Sequence, residues 1–135
     1  MTNFAYLLDT NILSDLIRKP DGKIAKRIAE VGEETICTSI IVACELRFGA
    51  EKKQSPPLQV RVKELLQVLE VLAMDDDADL HYEDIRSKLE TAGTPIGPND
   101  LLIAAHARSL NLTLISANVK EFSRVPGLSI ENWLE

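Results

Sequence analysis

FAYLLDTNI, Phe4–Ile12, is the stretch from which the architecture unfolds. Five apolar residues, Phe4–Leu8, run without a polar break and are too few for a helix. Such a run, bounded by polar residues, reads as a buried strand. Asp9 closes it, and helical spacing then begins at about Asn11 and continues to Arg18. A strand that ends on an acid and turns at once into a helix is the opening unit of a βα fold. An acid against apolar neighbours must be capped, paired or bound to something, because a bare buried carboxylate is costly. Asp9 can cap the following helix, although Thr10 and Asn11 offer the same service.

Outward from that segment the alternation continues. Pro20–Gly22 is a turn, and Ile24, Ile28 and Val31 mark one face of the next helix. Thr35–Thr38 reads as a second strand, with Ser39 capping a helix to about Lys52. Gln54–Pro57 breaks that helix, and Leu58, Val62, Leu65, Leu66 and Leu69 stripe another. Val71–Met74 is a short third strand. Asp76–Thr91 follows as a helix with Leu80, Ile85 and Leu89 inward. After the loop Gly93–Gly97, Pro98 opens a helix to Leu110. Leu112–Ser116 is the fourth strand and Leu128–Ile130 the fifth. Strands alternating with helices across short connections imply a parallel sheet covered by helices on both faces. The expected fold class is therefore α/β, built as one domain over residues 1–135.

Two further acids repeat the Asp9 pattern. Glu45 has Ile41, Val42, Phe48 and Gly49 as its helical neighbours, and Arg47 does not share that face. Asp100 opens a helix whose facing positions are Ile103, Ala104 and Ala107. An Asp in a first turn gains from the helix dipole, which accounts for the acid but not for its apolar face. Three apolar-flanked acids suggest a shared cationic partner. Oxygen donors without Cys or His select Mg2+ or Mn2+ over zinc or copper. Such sites share the ion with substrate phosphates, so the implied chemistry is phosphoester hydrolysis. The run Asp75–Asp76–Asp77–Asp79 imitates a calcium loop, but Leu80 and Arg86 stand where Gly and an acid are required. It reads as helix-capping charge. His81 and His106 lack the neighbours a zinc site needs.

The net charge of −6 argues against a protein that coats nucleic acid, though not against nucleic acid as substrate. Basic residues cluster locally at Arg18, Lys19, Lys23, Lys26 and Arg27, and again at Arg47, Lys52 and Lys53. Cys37 and Cys44 read as buried free thiols of a reducing compartment. No stretch approaches a membrane span and no secretory leader is evident, so the expected location is cytoplasmic, with no membrane partner. Phosphate-loop, dinucleotide and serine-hydrolase motifs are absent from the sequence.

Four segments together resemble the VapC-type PIN-domain ribonuclease toxins of VapBC toxin–antitoxin systems. They are Leu7–Ile12, Ser39 through Glu45–Leu46 to Gly49, Ile96–Ala107, and Leu114–Asn118 continuing through Glu121 to Leu128. The resemblance covers nearly the whole chain, and Ile96–Ala107 is its most specific part. It implies a three-layer α/β/α sandwich and a Mg2+- or Mn2+-dependent endoribonuclease, with tRNA the target in the related subgroup. It also implies a cognate VapB-type antitoxin, a homodimer, and contact with operator DNA only through the antitoxin. Asp9, Glu45 and Asp100 fall on the family's core acids. The fourth position, often Asp, lands on Asn118, with Glu121 three residues on; Asn118 can orient a water or ligand but brings no charge. Ser116 matches a hydroxyl position, and Thr10 and Asn11 stand as supporting residues.

Two other readings compete. A receiver-type phosphoacceptor domain would use Asp9 with Asp75, Ser116 and Lys120, but it wants an acidic pair where Thr10 and Asn11 follow Asp9. A catalytically silent PIN subunit would serve only within an antitoxin–operator DNA complex. Converging acids would also attract a cation from a partner chain, with apolar surface near Ile12, Leu13, Leu16 and Phe48 expected to seat the rest of it.

Overall fold

The computed structural model describes residues 3–75 and 77–135. Strand β1 (Tyr6–Leu8) leads into α1 (Thr10–Arg18) and α2 (Lys23–Val31). Next come β2 (Ile36–Ser39), α3 (Ile40–Lys52), α4 (Pro56–Val68) and β3 (Val71–Leu72). The chain ends with α5 (Ala78–Thr91), α6 (Pro98–Ser109), β4 (Thr113–Ile115), α7 (Val119–Phe122) and β5 (Ile130–Glu131). The strands form one sheet in the order β3-β2-β1-β4-β5, and every pairing is parallel. Helices cover both faces, giving the α/β/α sandwich.

Strand order positions the site. From β1 the chain steps outward through β2 to β3 on one side, then returns to place β4 and β5 on the other. The two halves part at the carboxyl end of β1, between β2 and β4, and ligands in open parallel sheets bind at that switch point. Asp9 stands there, its N–H bonded to the Ile115 carbonyl at 2.9 Å. The apolar residues before it hold it in place. Leu7, Leu8, Leu114 and Ile115 are fully buried, each Leu contributing about 2 kcal/mol by burial. Helix α6 lies in the same core, with Ile103, Ala104, Ala105 and Ala107 inaccessible.

Several local expectations need correction. Gln54–Pro57 does interrupt the helices, but only Gln54 and Ser55 are outside them. Gln54 takes a left-handed φ of 49°, and Ser55 caps α4 by accepting the Leu58 N–H while Pro56 opens the helix. Strand β3 stops at Leu72, two residues short of the expected end. Helix α5 begins at Ala78, and Asp76 lies outside the described residues. Leu80 is 63% exposed rather than inward, since the Ile85–Leu89 face meets the core and Leu80 lies off it. Cys44 is exposed: only one face of α3 is covered, and Val42, Ala43 and Leu46 occupy it. Cys37 is buried as expected, and burial pushes its thiol up to about 12.

Candidate active site

Asp9 is both a helix cap and a site acid. Its Oδ1 accepts the Thr10 N–H at 2.8 Å, and its Oδ2 accepts the Ser116 hydroxyl at 2.7 Å. It is 3% exposed. Burial raises its pKa; the Ser116 and Thr10 hydrogen bonds oppose that, and the charges of Glu45 and Glu121 add to it. Ser116 in turn accepts the Asn118 N–H at 3.0 Å, and the Asn11 amide oxygen accepts the Ala117 N–H at 3.1 Å. The loop after β4 is thereby tied to the loop after β1.

Glu45 reaches the same place from α3. Thr10 donates its hydroxyl to Oε1 at 2.5 Å, and Asn99 donates to Oε2 at 3.3 Å. No cation pairs with Glu45 among the described residues, so its partners are polar and neutral. The face is apolar as expected but only partly buried, because Phe48 is 67% exposed.

Asp100 and Glu121 form a pair across the Gly97 backbone. A Cβ on Gly97 would stand 3.9 Å from Asp100 Oδ2 and 3.9 Å from Glu121 Oε1. Burial pushes Asp100 up to about 7, helped by the charge of Glu121, then Asp9, and by hydrogen bonding to Glu121. Burial acts on Glu121 in the same direction, but hydrogen bonds from the Gly97 N–H, Asn118 and Asp100, with the Arg124 charge, hold it below its ordinary value. The Gly97 N–H donates at 2.9 Å and the Asn118 amide at 2.5 Å. Asp100 is pushed up and Glu121 held down, and the two titrate as a pair.

These side chains bound one open cavity of about 450 Å³, lined by Asp9, Thr10, Asn11, Glu45, Asp100 and Asn118 with Ser14 and Arg18. All four residues singled out from sequence as catalytic candidates meet there. Asn118 enters as the residue that orients Glu121. The fourth carboxylate is thus supplied one helical turn later, from α7. Ser14 and Asn99 were not singled out, and Arg18 was noted only as part of a basic cluster. Their signal was present: Ser14 and Arg18 follow Thr10 at steps of four along α1.

The donors are all oxygens, which suits a hard cation. Among the described residues no three acids close on a single point as a complete ligand cage. Such spacing fits an ion held by one or two carboxylates with water in its other positions, as Mg2+ prefers. Burial is the main cause of the raised pKa of Asp9 and Asp100, and the mutual repulsion that adds to it is what such an ion would relieve.

Other expectations fall differently. Lys120, needed by a receiver-type pocket, is exposed and does not line the cavity. His106 is buried, its Nδ1 2.8 Å from the Ser39 hydroxyl, while Nε2 has no hydrogen-bond partner among the described residues. Burial lowers its pKa. In the acid run, Asp77 is the N-cap of α5 but faces His81 at 3.6 Å, and Asp79 accepts the Leu80 N–H. The apolar groove is displaced from its expected place. Ile12 is sealed in the core and Phe48 lies apart, whereas Leu13 and Leu16 line a cavity of about 540 Å³ with Phe4, Ile28, Leu65 and Leu69.

A parallel five-stranded sheet with four acids gathered at its switch point defines the PIN-domain class, and the PIN domain family model matches residues 6–128. The chain belongs to that family and, within it, to the VapC group. It is 39% identical over 129 residues to the tRNA(fMet)-specific endonuclease VapC of Salmonella typhimurium, covering 95% of this chain and 97% of that protein. It is 40% identical over 130 residues to ribonuclease VapC2 of Rickettsia felis, with the same coverages. Among solved structures, Rickettsia felis VapBC2 bound to a DNA fragment from its promoter aligns with a TM-score of 0.89 at 36% identity, over 96% of this chain and 99% of that one. No described helix is long and apolar enough to cross a membrane.

Proposed function

We propose that residues 1–135 act as a single PIN domain, a cytoplasmic endoribonuclease toxin that hydrolyses RNA phosphodiester bonds and takes tRNA as its target. The observation that carries this reading is the convergence of Asp9, Glu45 and Asp100 on one open cavity at the sheet's switch point, with Glu121 paired to Asp100 beside it. Asp9, Asp100 and Glu45 are the candidate ligands that would hold Mg2+ or Mn2+, one or two of them directly and the rest through water. A divalent cation there supplies a Lewis acid for the phosphoryl oxygen and lowers the pKa of an attacking water. The chain's own residues do the rest. Ser116 and Thr10 fix the two oxygens of Asp9, and Thr10 and Asn99 fix Glu45. Asn118 aims Glu121 at Asp100, and that pair can hold a proton beside the reacting phosphate.

The relatives supply the biological setting. The Salmonella protein is named for tRNA(fMet), and the Rickettsia structure is a VapBC complex on promoter DNA. By that analogy this chain pairs with a VapB-type antitoxin and meets operator DNA only through it. A homodimer is the proposed state, formed through exposed apolar positions on α3 and α4 such as Ile40, Phe48 and Val60.

The test is direct. Purified protein is mixed with initiator tRNA and with an elongator tRNA, in Mg2+, Mn2+ or chelator. Discrete cleavage that requires the ion, prefers initiator tRNA and disappears in Asp100→Asn is expected. Metal-independent cleavage, or an Asp100→Asn protein as active as the parent, would remove the reading. Failure to cleave any RNA would favour the silent subunit.

A further inference from the structure

A second, smaller cavity of about 180 Å³ continues from the acidic one. The two share Thr10, Ser14, Arg18 and Glu45 on their walls. The extension runs between α1 and α3 toward the start of α4, over an apolar floor that includes Leu46, Ala50 and Val62, and Lys53 stands on its wall. Arg18 and Lys53 are the cations among the described residues lining these two cavities. They come from the two basic clusters of the sequence, 35 positions apart, and the fold brings one member of each to the same groove. Other members are used elsewhere: Arg27 pairs with Glu131 and stacks on Trp133, and Lys23 donates to the Leu134 carbonyl.

Both groove cations can take a ligand: Lys53 has no ion pair among the described residues, and Arg18 has only an exposed, weak one. Arg18 is 66% exposed and pairs with Asp15 at 3.6 Å, without a hydrogen bond, so a phosphate can compete for its guanidinium. Lys53 is exposed and has no carboxylate within ion-pair distance among the described residues. A chain of net charge −6 with three acids lining its cavity repels a polyanion, so a nucleic-acid strand needs local cations to approach.

We propose that the α1–α3 groove is the track for the single-stranded RNA flanking the scissile phosphate, with Arg18 and Lys53 each binding a backbone phosphate. This rests on the ribonuclease reading and assigns its substrate path. Arg18 lies at the junction of the two cavities and contacts the phosphate nearer the acids; Lys53 contacts one further out. The apolar floor receives ribose or base edges. Gly49 forms part of the wall, and a Cβ there would meet nothing within 4 Å, so the groove has room at that point.

Phosphate contacts carry no sequence information, so a mixed-sequence oligoribonucleotide with 2′-O-methyl groups, which resist cleavage, serves as the probe. Its binding is followed by anisotropy in Mg2+ across a salt series. Arg18→Ala/Lys53→Ala is expected to weaken binding at least ~10-fold and to reduce the slope of log K against log salt by about 1.4, at ~0.7 per phosphate contact on a single strand. Lys26→Ala/Lys63→Ala removes the same charge from exposed helix positions outside the groove and is expected to leave both quantities near the parent's. Gly49→Leu, which fills the groove without changing charge, should also weaken binding. Equal loss in the two double variants would make the effect net charge alone and overturn the proposal. So would unchanged binding in the groove variants, or a parent that does not bind the probe; weakened antitoxin binding with RNA binding intact would reassign the groove to the partner. A parent that binds RNA through Arg18 and Lys53 but never cleaves it would overturn the hydrolase reading and leave the track standing.

Discussion

Asp100 concentrates the physics of the site in one residue. Its carboxyl is pushed up to about 7, first by burial and then by its acidic neighbours. A carboxylate whose folded pKa lies above its unfolded value of 3.8 binds its proton more tightly in the folded state. Stability therefore falls as pH rises from about 4 to about 7 and levels off above that. The metal-free protein should melt at a higher temperature at the acid end of this window than at neutral pH. Asp100→Asn, which cannot ionise, should flatten that dependence and raise the neutral Tm, while costing at least ~10²-fold in cleavage. Thermal melts in chelator across the window measure this, and a parent whose Tm climbs through the window contradicts it. Metal uptake should weaken below pH 7 for the same reason, since protons compete for the oxygen. A second residue-scale prediction concerns Asn118. Asn118→Asp exchanges the donor to Glu121 for another acceptor and adds a charge. The metal-free variant should melt below the parent, and Mn2+ should raise its Tm more than it raises the parent's, read by thermal melts with and without the ion.

At the scale of elements, Arg108 holds the back of the site together. From α6 its Nε donates to His81 Nδ1 on α5 at 2.8 Å, and its Nη1 donates to the Pro126 carbonyl after α7 at 2.8 Å. Nη2 meets Asp84 at 2.8 Å, and the side chain is 14% exposed. Gly127, at a φ of 76°, lets the chain turn against this guanidinium. With Nδ1 of His81 accepting from Arg108, its Nε2 is left to face Asp77 at 3.6 Å. Arg108→Ala should lose about 2 kcal/mol in urea unfolding from the His81 and Pro126 hydrogen bonds. Arg108→Lys should recover little, since one ammonium cannot reproduce a planar fork to three acceptors; full recovery would show that charge alone mattered. None of this clamp was legible beforehand. Periodicity and turn residues located the helices and the larger strands, and Asp9, Glu45 and Asp100 were visible as acids against apolar neighbours. Arg108, His81 and Pro126 are separated in sequence and carry no periodic signal, so their meeting depends on how α5 packs along α6. Glu121 was legible only as a residue three positions after Asn118: alignment to a strand end favours Asn118, whereas the α7 turn swings the later side chain back to Asp100. Leu80 shows the opposite error, an apolar residue at a permitted helical position that the α5–α6 packing leaves outside.

Across the whole molecule, α1 separates two features that a proposed antitoxin would have to engage together. Thr10, Asn11, Ser14 and Arg18 face the acidic cavity. Leu13 and Leu16 face the apolar groove of about 540 Å³, whose rim carries Glu33, Glu34 and Glu70 and the 84%-exposed Val68. An amphipathic helix fits that groove by its apolar face, and the acidic rim favours basic residues on its flanks. To place an Arg among Asp9, Asp100 and Glu121, the partner must then pass around α1. A helix with its side chains is about 10 Å across. Extended chain covers ~3.3 Å per residue, so at least about three to four residues must separate the partner's helix from its Arg. An Arg fork paired with two carboxylate oxygens takes the place of the cation or its water. Replacing that Arg with Ala should restore cleavage to at least about a tenth of the free toxin's rate. Complex affinity should fall by less than about tenfold, because the apolar contacts remain. Shortening the connecting segment by about two residues should have the same effect with the Arg intact, since it no longer reaches. Cleavage assays on the assembled complex, with affinity measured in parallel, read both changes. If cleavage stays fully blocked in both variants, the partner acts by covering the RNA path, and the acids play no part in its inhibition.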